Sequence, residues 1–124
     1  MRRAVEVGDA WAPHPAPATA RLVVSSGPAP LVSVDDLAER LDDARAYAES
    51  VGRTTPLDIC FVPEGMTISH PADVDEDAIV GSCRALADIG VTWVIVALPG
   101  DTRQEQLATV EQWAATVLPV LHAL

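Results

Sequence analysis

An unbroken apolar run, VTWVIVAL at residues 91–98, constrains the fold of this chain more than any other feature. Because it lies between Gly90 and Pro99, it has the length of a strand rather than that of a helix. A run without alternation and rich in branched side chains is typical of a parallel strand that is buried on both faces. We therefore expect a sheet that is covered on both sides, with Trp93 in the core.

Two shorter segments predict the other strands. The sequence LDICFV, Leu57–Val62, is apolar and lies between Pro56 and Pro63. The sequence DAWAP, Asp9–Pro13, is short enough for a buried strand that ends at its proline.

Helical patterns surround the predicted strands. Arg2–Val7 predicts the last turns of a helix that ends at a left-handed Gly8. Ser33 with Asp36 predicts the capping box of a long helix that closes at Gly52. We expect its buried face to consist of the apolar residues Val34, Leu37, Leu41, Ala44, Ala48 and Val51.

Two further helices follow. The first spans Asp73–Ile89, after a loop at 64–72, and carries acidic residues in its first turn. The second begins at a cap on Asp101 or Thr102 and is kinked or loosened near its end by Pro119. Its predicted face consists of Leu107, Val110, Ala114, Val117 and Leu121.

The order of these elements predicts the α/β class, because alternating helices and strands form a parallel sheet with right-handed crossovers. The length of 124 residues suits one domain, residues 1–124, with a Pro-rich loop at 13–32. Three parallel strands with such apolar faces leave open sheet edges. We therefore expect something outside this sequence to pair with them.

The charge balance disfavours several partners. The formal net charge of −10 repels phosphate backbones and anionic lipid, so we expect neither a nucleic-acid role nor a membrane role. The N-terminus has no apolar stretch of signal-peptide length, and no segment approaches the length of a membrane span. Cys60 and Cys83 form no CxxC motif, which favours a reduced cytoplasm.

Metal binding is not expected either. No two histidines have the spacing that places ligands on one helix face. The acidic triplet Asp73, Asp75 and Asp77 matches the first positions of a calcium loop, but Ala78 and Arg84 occupy the positions that require Gly and Glu.

Three phrases together resemble a known family. They are RRAVEVGDAW at residues 2–11, SVDDLAERLDDARAYAESVGR at 33–53 and ALADIGVTWVIVALPGDTRQEQLATVEQWAATVLPVL at 85–121. They are similar to the closing third of luciferase-like monooxygenases, especially the branch that uses a deazaflavin, coenzyme F420. The resemblance covers nearly the whole chain and implies the last three strands of a (β/α)8 barrel, whose active site lies at the carboxyl ends of the strands.

The resemblance also implies the chemistry. A flavin-type cofactor, coenzyme F420 or FMN, would transfer hydride or activate oxygen on a small-molecule substrate, while protein groups orient it. The strand-one residues implied in cofactor binding are Asp9, Trp11 and Pro13. The other residues that would face the site are Glu64, Met66, Pro99, Gly100 and Asp101. No catalytic residue is assigned.

Two departures from the family bear on activity. A Gly- and Ser-containing turn normally precedes the RRA-like helix and holds the cofactor phosphate, but here Met1 stands in its place. Ala10 stands where the family usually has Gly. We therefore expect a partial barrel domain that is inactive alone and that a complementing barrel half would complete.

Two other interpretations remain open. The chain could be a small α/β interaction module that forms a homo-oligomer through its strand edges. It could also be a self-sufficient three-strand ligand-binding domain.

Overall fold

A computed structural model describes residues 1–16, 30–64, 66 and 75–124. The helices and strands, in chain order, are α1 (Arg2–Val7), β1 (Ala10–Trp11), α2 (Val34–Ser50), β2 (Asp58–Phe61), α3 (Glu76–Asp88), β3 (Trp93–Val94), α4 (Arg103–Thr116) and α5 (Leu118–Leu121). This alternation confirms the α/β class. Most of the predicted loop at 13–32, most of the loop at 64–72 and the start of the helix predicted at Asp73–Ile89 lie outside the described residues.

The chain divides into two compact units, and each is described by itself. The first unit is Met1–Phe61 with Ile89–Trp93, and the second is Val62–Asp88 with Val94–Leu124. The single domain that the length suggests stays a prediction. Within the described ranges, no helix combines the length and the apolarity that crossing a bilayer requires.

The three strands form one sheet in the order β1-β2-β3. β1 and β2 are parallel, with Ala10 opposite Asp58 and Trp11 opposite Ile59. The Thr92 amide, one residue before β3, donates to the Ile59 carbonyl of β2 at 2.9 Å. The strands are shorter than predicted, because β1 and β3 have only two residues each.

α2 in the first unit follows its prediction at both ends and along most of its buried face, but Val51, which was predicted to be buried, is 47% exposed. The Asp36 amide donates to Ser33 Oγ at 3.2 Å, and the Ser33 amide donates to Asp36 Oδ2 at 2.9 Å, so the capping box is complete. Leu37, Leu41 and Ala44 are buried, and Gly52 follows the helix with φ of 71°. Complete burial of a leucine such as Leu37 contributes about 1.5–3 kcal/mol.

The end of α1 differs from its prediction. Gly8 is the C-cap, but its φ of −103° and ψ of 162° are extended rather than left-handed. β1 begins two residues later, so an extended cap carries the chain directly into the sheet. The helix was predicted correctly, and the cap conformation was wrong.

The second unit has its own apolar core. Its buried residues are Val62, Met66, Ile79, Cys83, Trp113 and Val117. The apolar pattern of α3 predicts burial of Ile79, Val80, Cys83, Leu86 and Ala87. Ile79, Cys83 and Leu86 are buried and Val80 is half-buried, whereas Ala87 is exposed. Ser82 Oγ on the same helix accepts a 2.8 Å bond from the Glu64 amide, which fixes the segment after β2.

The run at residues 91–98 is covered on one side only, so the prediction of two-sided burial was wrong. Val94, Val96 and Leu98 pack against the core of the second unit. Trp93 and Ile95 alternate with them and are 63% and 39% exposed. Side chains that alternate between exposed and packed at every second residue are typical of an extended segment. Among the described residues, none covers the second face of this segment.

α4 buries only part of its predicted face, since Val117 at its C-cap is buried and Leu121 packs against the core of the second unit, but Ala114 is exposed. Its capping box at Thr102 and Glu105 and the break at Val117 ahead of Pro119 agree with the sequence. However, Leu107 and Val110 are 52% and 48% exposed, whereas Trp113 is buried. The indole brings more apolar area into the core than either aliphatic side chain, which explains the orientation of the helix.

Candidate functional site

The residues implied in cofactor binding lie at both ends of β1. Asp9 precedes the first residue of the strand, Trp11 is its last residue, and Pro13 follows it. Asp9 is exposed, and its carbonyl accepts a 3.0 Å bond from the Asp58 amide at the start of β2. The structure therefore separates Asp9 from the carboxyl end of the strand, where a barrel active site would lie.

Trp11 is half-buried on the inner side of the first unit. Its register partner is Ile59, and residues opposite each other in a sheet point to the same face. Ile59 is buried and lines a cavity together with Leu41 and Ala44 of α2. This placement favours a packing role for much of the indole.

The remaining predicted site residues belong to the second unit and support its helices. Met66 is buried in the core of that unit. The Pro99 carbonyl accepts from Thr109 Oγ1 at 3.1 Å, and the Gly100 carbonyl accepts from Gln106 Nε2 at 3.1 Å. The Asp101 amide donates to Glu105 Oε2 at 2.8 Å. These three residues thus form the cap of α4.

Glu105 is the electrostatic centre of that cap. Its carboxylate accepts backbone bonds from Thr102 and Asp101, which lower the pKa of the carboxyl below its usual range. Hydrogen bonds to the charged form stabilise it in this way. The cap is therefore strongest when Glu105 is ionised.

Two adjoining cavities lie at the opposite edge of the sheet, in the first unit. The apolar cavity has a volume of about 320 Å³ and a floor that includes Val5, Leu41, Ala44, Leu57 and Ile59. The polar cavity has a volume of about 500 Å³ and is lined by residues 5–9 and 51–55. Both are bordered by segments that lead into β1 and β2, and therefore lie at the amino ends of these strands.

Arg53 lies between the two cavities and is held by main-chain carbonyls. Its Nη1 donates to the carbonyls of Val5 at 2.9 Å and Gly8 at 2.8 Å. Its Nε donates to the Thr55 carbonyl at 2.7 Å. The last carbonyls of a helix have no partner within the helix, so a guanidinium near the end of α1 is favourable.

Arg45 is fixed at the rim of the apolar cavity. Its Nη2 donates to the Ile89 carbonyl at 2.6 Å, and its Nη1 bonds Asp42 at 2.8 Å. Gly90 has φ of 98°, and a Cβ there would lie 2.7 Å from Arg45 Nη2. The glycine therefore permits both the turn and the approach of the guanidinium.

A third contact joins α1 to α2. The Tyr47 hydroxyl donates to Glu6, and the Arg2 guanidinium lies 5.1 Å from the centre of the Tyr47 ring. The hydrogen bond to Glu6, followed by desolvation and the charge of Glu6, raises the pKa of Tyr47 above its ordinary value. The phenol is thus held in its protonated form.

The cysteines and acidic groups offer no reactive or metal centre in the described part of the chain. Burial raises the pKa of both thiols, Cys60 and Cys83, which favours the unreactive protonated form. Among the described residues, no group of three His, Cys, Asp or Glu side chains could hold a metal ion.

Comparisons with protein-family models, curated proteins and solved structures gave no match to this chain. The family resemblance therefore depends on the three sequence phrases alone. Sequence reasoning missed the cavities at the amino edge, because their lining comes from segments far apart in the chain. The one available signal was Arg53, a cation placed directly after the glycine that closes α2.

Proposed function

We propose that these helices and strands form part of a (β/α)8 barrel of a luciferase-like oxidoreductase that uses coenzyme F420 or FMN. The order β1-β2-β3 supports this, because strands that follow each other in sequence are also neighbours in such a barrel. The parallel pairing of β1 and β2 supports it as well.

The uncovered face of the segment around β3 is the observation that carries the proposal. Val94, Val96 and Leu98 pack inward, whereas Trp93 and Ile95 expose large apolar side chains to water. In a barrel one face of each strand packs on the outer helices and the other fills the interior. Further strands around Trp93 and Ile95 would bury them.

The described residues suit the cofactor ring better than its phosphate. Trp11 and Pro13 provide apolar surface at the carboxyl end of β1. Phosphate is usually held by free amides at a helix start, but the amides at the starts of α2, α3 and α4 already donate to capping side chains of Asp36, Asp75 and Glu105. When bound, the cofactor would supply hydride transfer or oxygen activation. Its phosphate would be held by residues outside those described.

A chimaera tests this proposal. The chain replaces the last three strand-helix units of a deazaflavin-dependent luciferase-like enzyme, and folding and coenzyme binding are measured by circular dichroism and fluorescence titration. We expect a cooperatively folded protein that binds the coenzyme. Failure to fold would contradict the barrel assignment, and a folded chimaera that binds neither coenzyme F420 nor FMN would contradict the cofactor assignment.

A second candidate is an interaction module that self-associates, and the exposed side chains of Leu107 and Val110 on α4 favour it. Light scattering after size exclusion separates the two. A discrete oligomer that dissociates when Leu107 and Val110 are replaced by Ser would favour the module, whereas aggregation or a loosely packed monomer would favour the partial barrel.

A further inference from the structure

We infer that the paired cavities at the amino edge of the sheet form one binding cleft for a small amphipathic amine. The inference is independent of the proposed function, since a barrel active site would lie at the carboxyl ends of the strands. The two cavities share Val5, Arg53, Thr54 and Thr55 along their common border, so they form one continuous groove in the first unit.

The apolar cavity of the cleft suits the apolar part of such a ligand. Its volume of about 320 Å³ is within the range of ~300–1,000 Å³ that small-molecule pockets occupy. The floor consists of aliphatic side chains, and the buried residues Val5, Leu41 and Ile59 already belong to the core. An apolar group in this cavity would replace water against a surface that offers it few hydrogen bonds.

The polar cavity of the cleft suits the positively charged group of such a ligand. It contains the carboxylates of Glu6 and Asp9 and the hydroxyls of Thr54 and Thr55. Glu6 is bonded by Tyr47, whereas the Asp9 side chain has no hydrogen-bond or ion-pair partner among the described residues. The backbone of Asp9 is fixed by its bond to Asp58. The site therefore presents a positioned acceptor.

The arginines at the cleft do not favour an anionic ligand. Four bonds to main-chain carbonyls, including 3.4 Å to Pro56, occupy the Arg53 guanidinium. Arg45 is neutralised by Asp42 and bonded to Ile89. Neutral carbonyls do not cancel the charge of Arg53, but the carboxylates of Glu6, Asp9 and Glu49 at the cleft outnumber it, in a chain of net charge −10. A protonated amine is thus the complementary head group.

The experiment uses the full chain and phenethylamine as the probe, with phenethyl alcohol as the neutral isostere and hydrocinnamate as the anion. Amide chemical shifts are followed by NMR during titration. We expect saturable shifts at residues 5–9, 44–57 and 90 with the amine, and binding at least fivefold weaker for the other two probes. Equal binding of the alcohol would overturn the inference that the ligand is charged. Chemical-shift changes spread over the exposed acidic face of α2 would overturn the inference that the ligand binds in the cleft.

Two substitutions locate the two ends of the ligand. Asp9→Asn should weaken amine binding by about fivefold, which is the upper end for an exposed ion pair. The matched control is Glu111→Gln, which removes one negative charge from the exposed face of α4 and should leave amine binding unchanged. Ala48→Leu fills the apolar cavity and should weaken all binding at least tenfold, with the amide spectrum showing that the fold is retained. Unchanged binding in a folded Ala48→Leu protein would refute the proposed site.

Discussion

Replacing Arg53 by Ala should destabilise the first unit far more than an ordinary surface substitution. The guanidinium bonds the carbonyls of Val5 and Gly8 in a partly buried position, and the bonds to Thr55 and Pro56 are exposed. A hydrogen bond with a charged partner contributes about 1.5–3 kcal/mol when it is shielded, and exposed ones contribute little. With a discount for partial exposure, the two bonds to α1 predict a loss of about 2–3 kcal/mol.

Urea unfolding followed by circular dichroism measures this loss. With an m-value of about 1–3 kcal/mol/M, the midpoint should fall by about 1–2 M. Arg53→Lys is the matched variant, because it keeps the charge but cannot bond four carbonyls with one planar group. We expect it to recover less than half of the loss. A change below about 0.5 kcal/mol in Arg53→Ala, the size typical of surface substitutions, would refute the reasoning.

Three further predictions test other parts of the structure. Leu37→Ala should lower the free energy of unfolding by about 2–5 kcal/mol in urea, because Leu37 is fully buried. Leu107→Ala should change it by less than about 0.5 kcal/mol, because Leu107 is exposed. Equal effects would contradict the orientation of α4. Gly90→Ala should lower the free energy of unfolding by about 1–3 kcal/mol, because Gly90 has a positive φ and lies close to Arg45. Gly81→Ala should raise the melting temperature, because Gly81 lies within α3 and no described atom crowds a new Cβ there. The pKa of Glu105 is lowered, so its contribution to stability is present above the ordinary pKa of a glutamate and is lost as the pH falls through the pKa in the folded state. Glu105→Gln should therefore flatten the decline of the melting temperature below about pH 4. An unaltered pH profile would count against the cap.

The local elements could be predicted because their signals are local. Ser33 and Asp36 bond each other across one helical turn, and Gly52 is the residue that a left-handed helix end favours. Such contacts need no knowledge of the rest of the chain, so both ends of α2 agree with the sequence.

Burial could be predicted less well because it depends on what covers each face. Leu107 and Val110 have the spacing of a buried helical stripe, yet Trp113, one position away from that stripe, determines which side of α4 packs. Trp93 lies in the most apolar run of the sequence and is nevertheless 63% exposed. Periodicity gives the direction of a side chain but not the presence of a neighbour.

The cavities at the amino edge could not be predicted, because long-range contacts of two arginines define them. Arg45 bonds a carbonyl 44 positions along the chain, and Arg53 bonds one 48 positions away. Both arginines lie in the phrase at residues 33–53, but nothing in that phrase indicates these distant partners. Only the folded arrangement of α1, α2 and the sheet brings their partners together.

The two attachments between α1 and the chain that follows it should respond differently to alkali. The acceptors of Arg53 in α1 are the main-chain carbonyls of Val5 and Gly8, which carry no ionisable proton. The Tyr47 phenol has a raised pKa, so its bond to Glu6 contributes fully below about pH 10 and disappears as the phenol ionises. In strongly basic solution, α1 would therefore lose its side-chain hydrogen bond to α2, while Arg53 would still hold its carboxyl end.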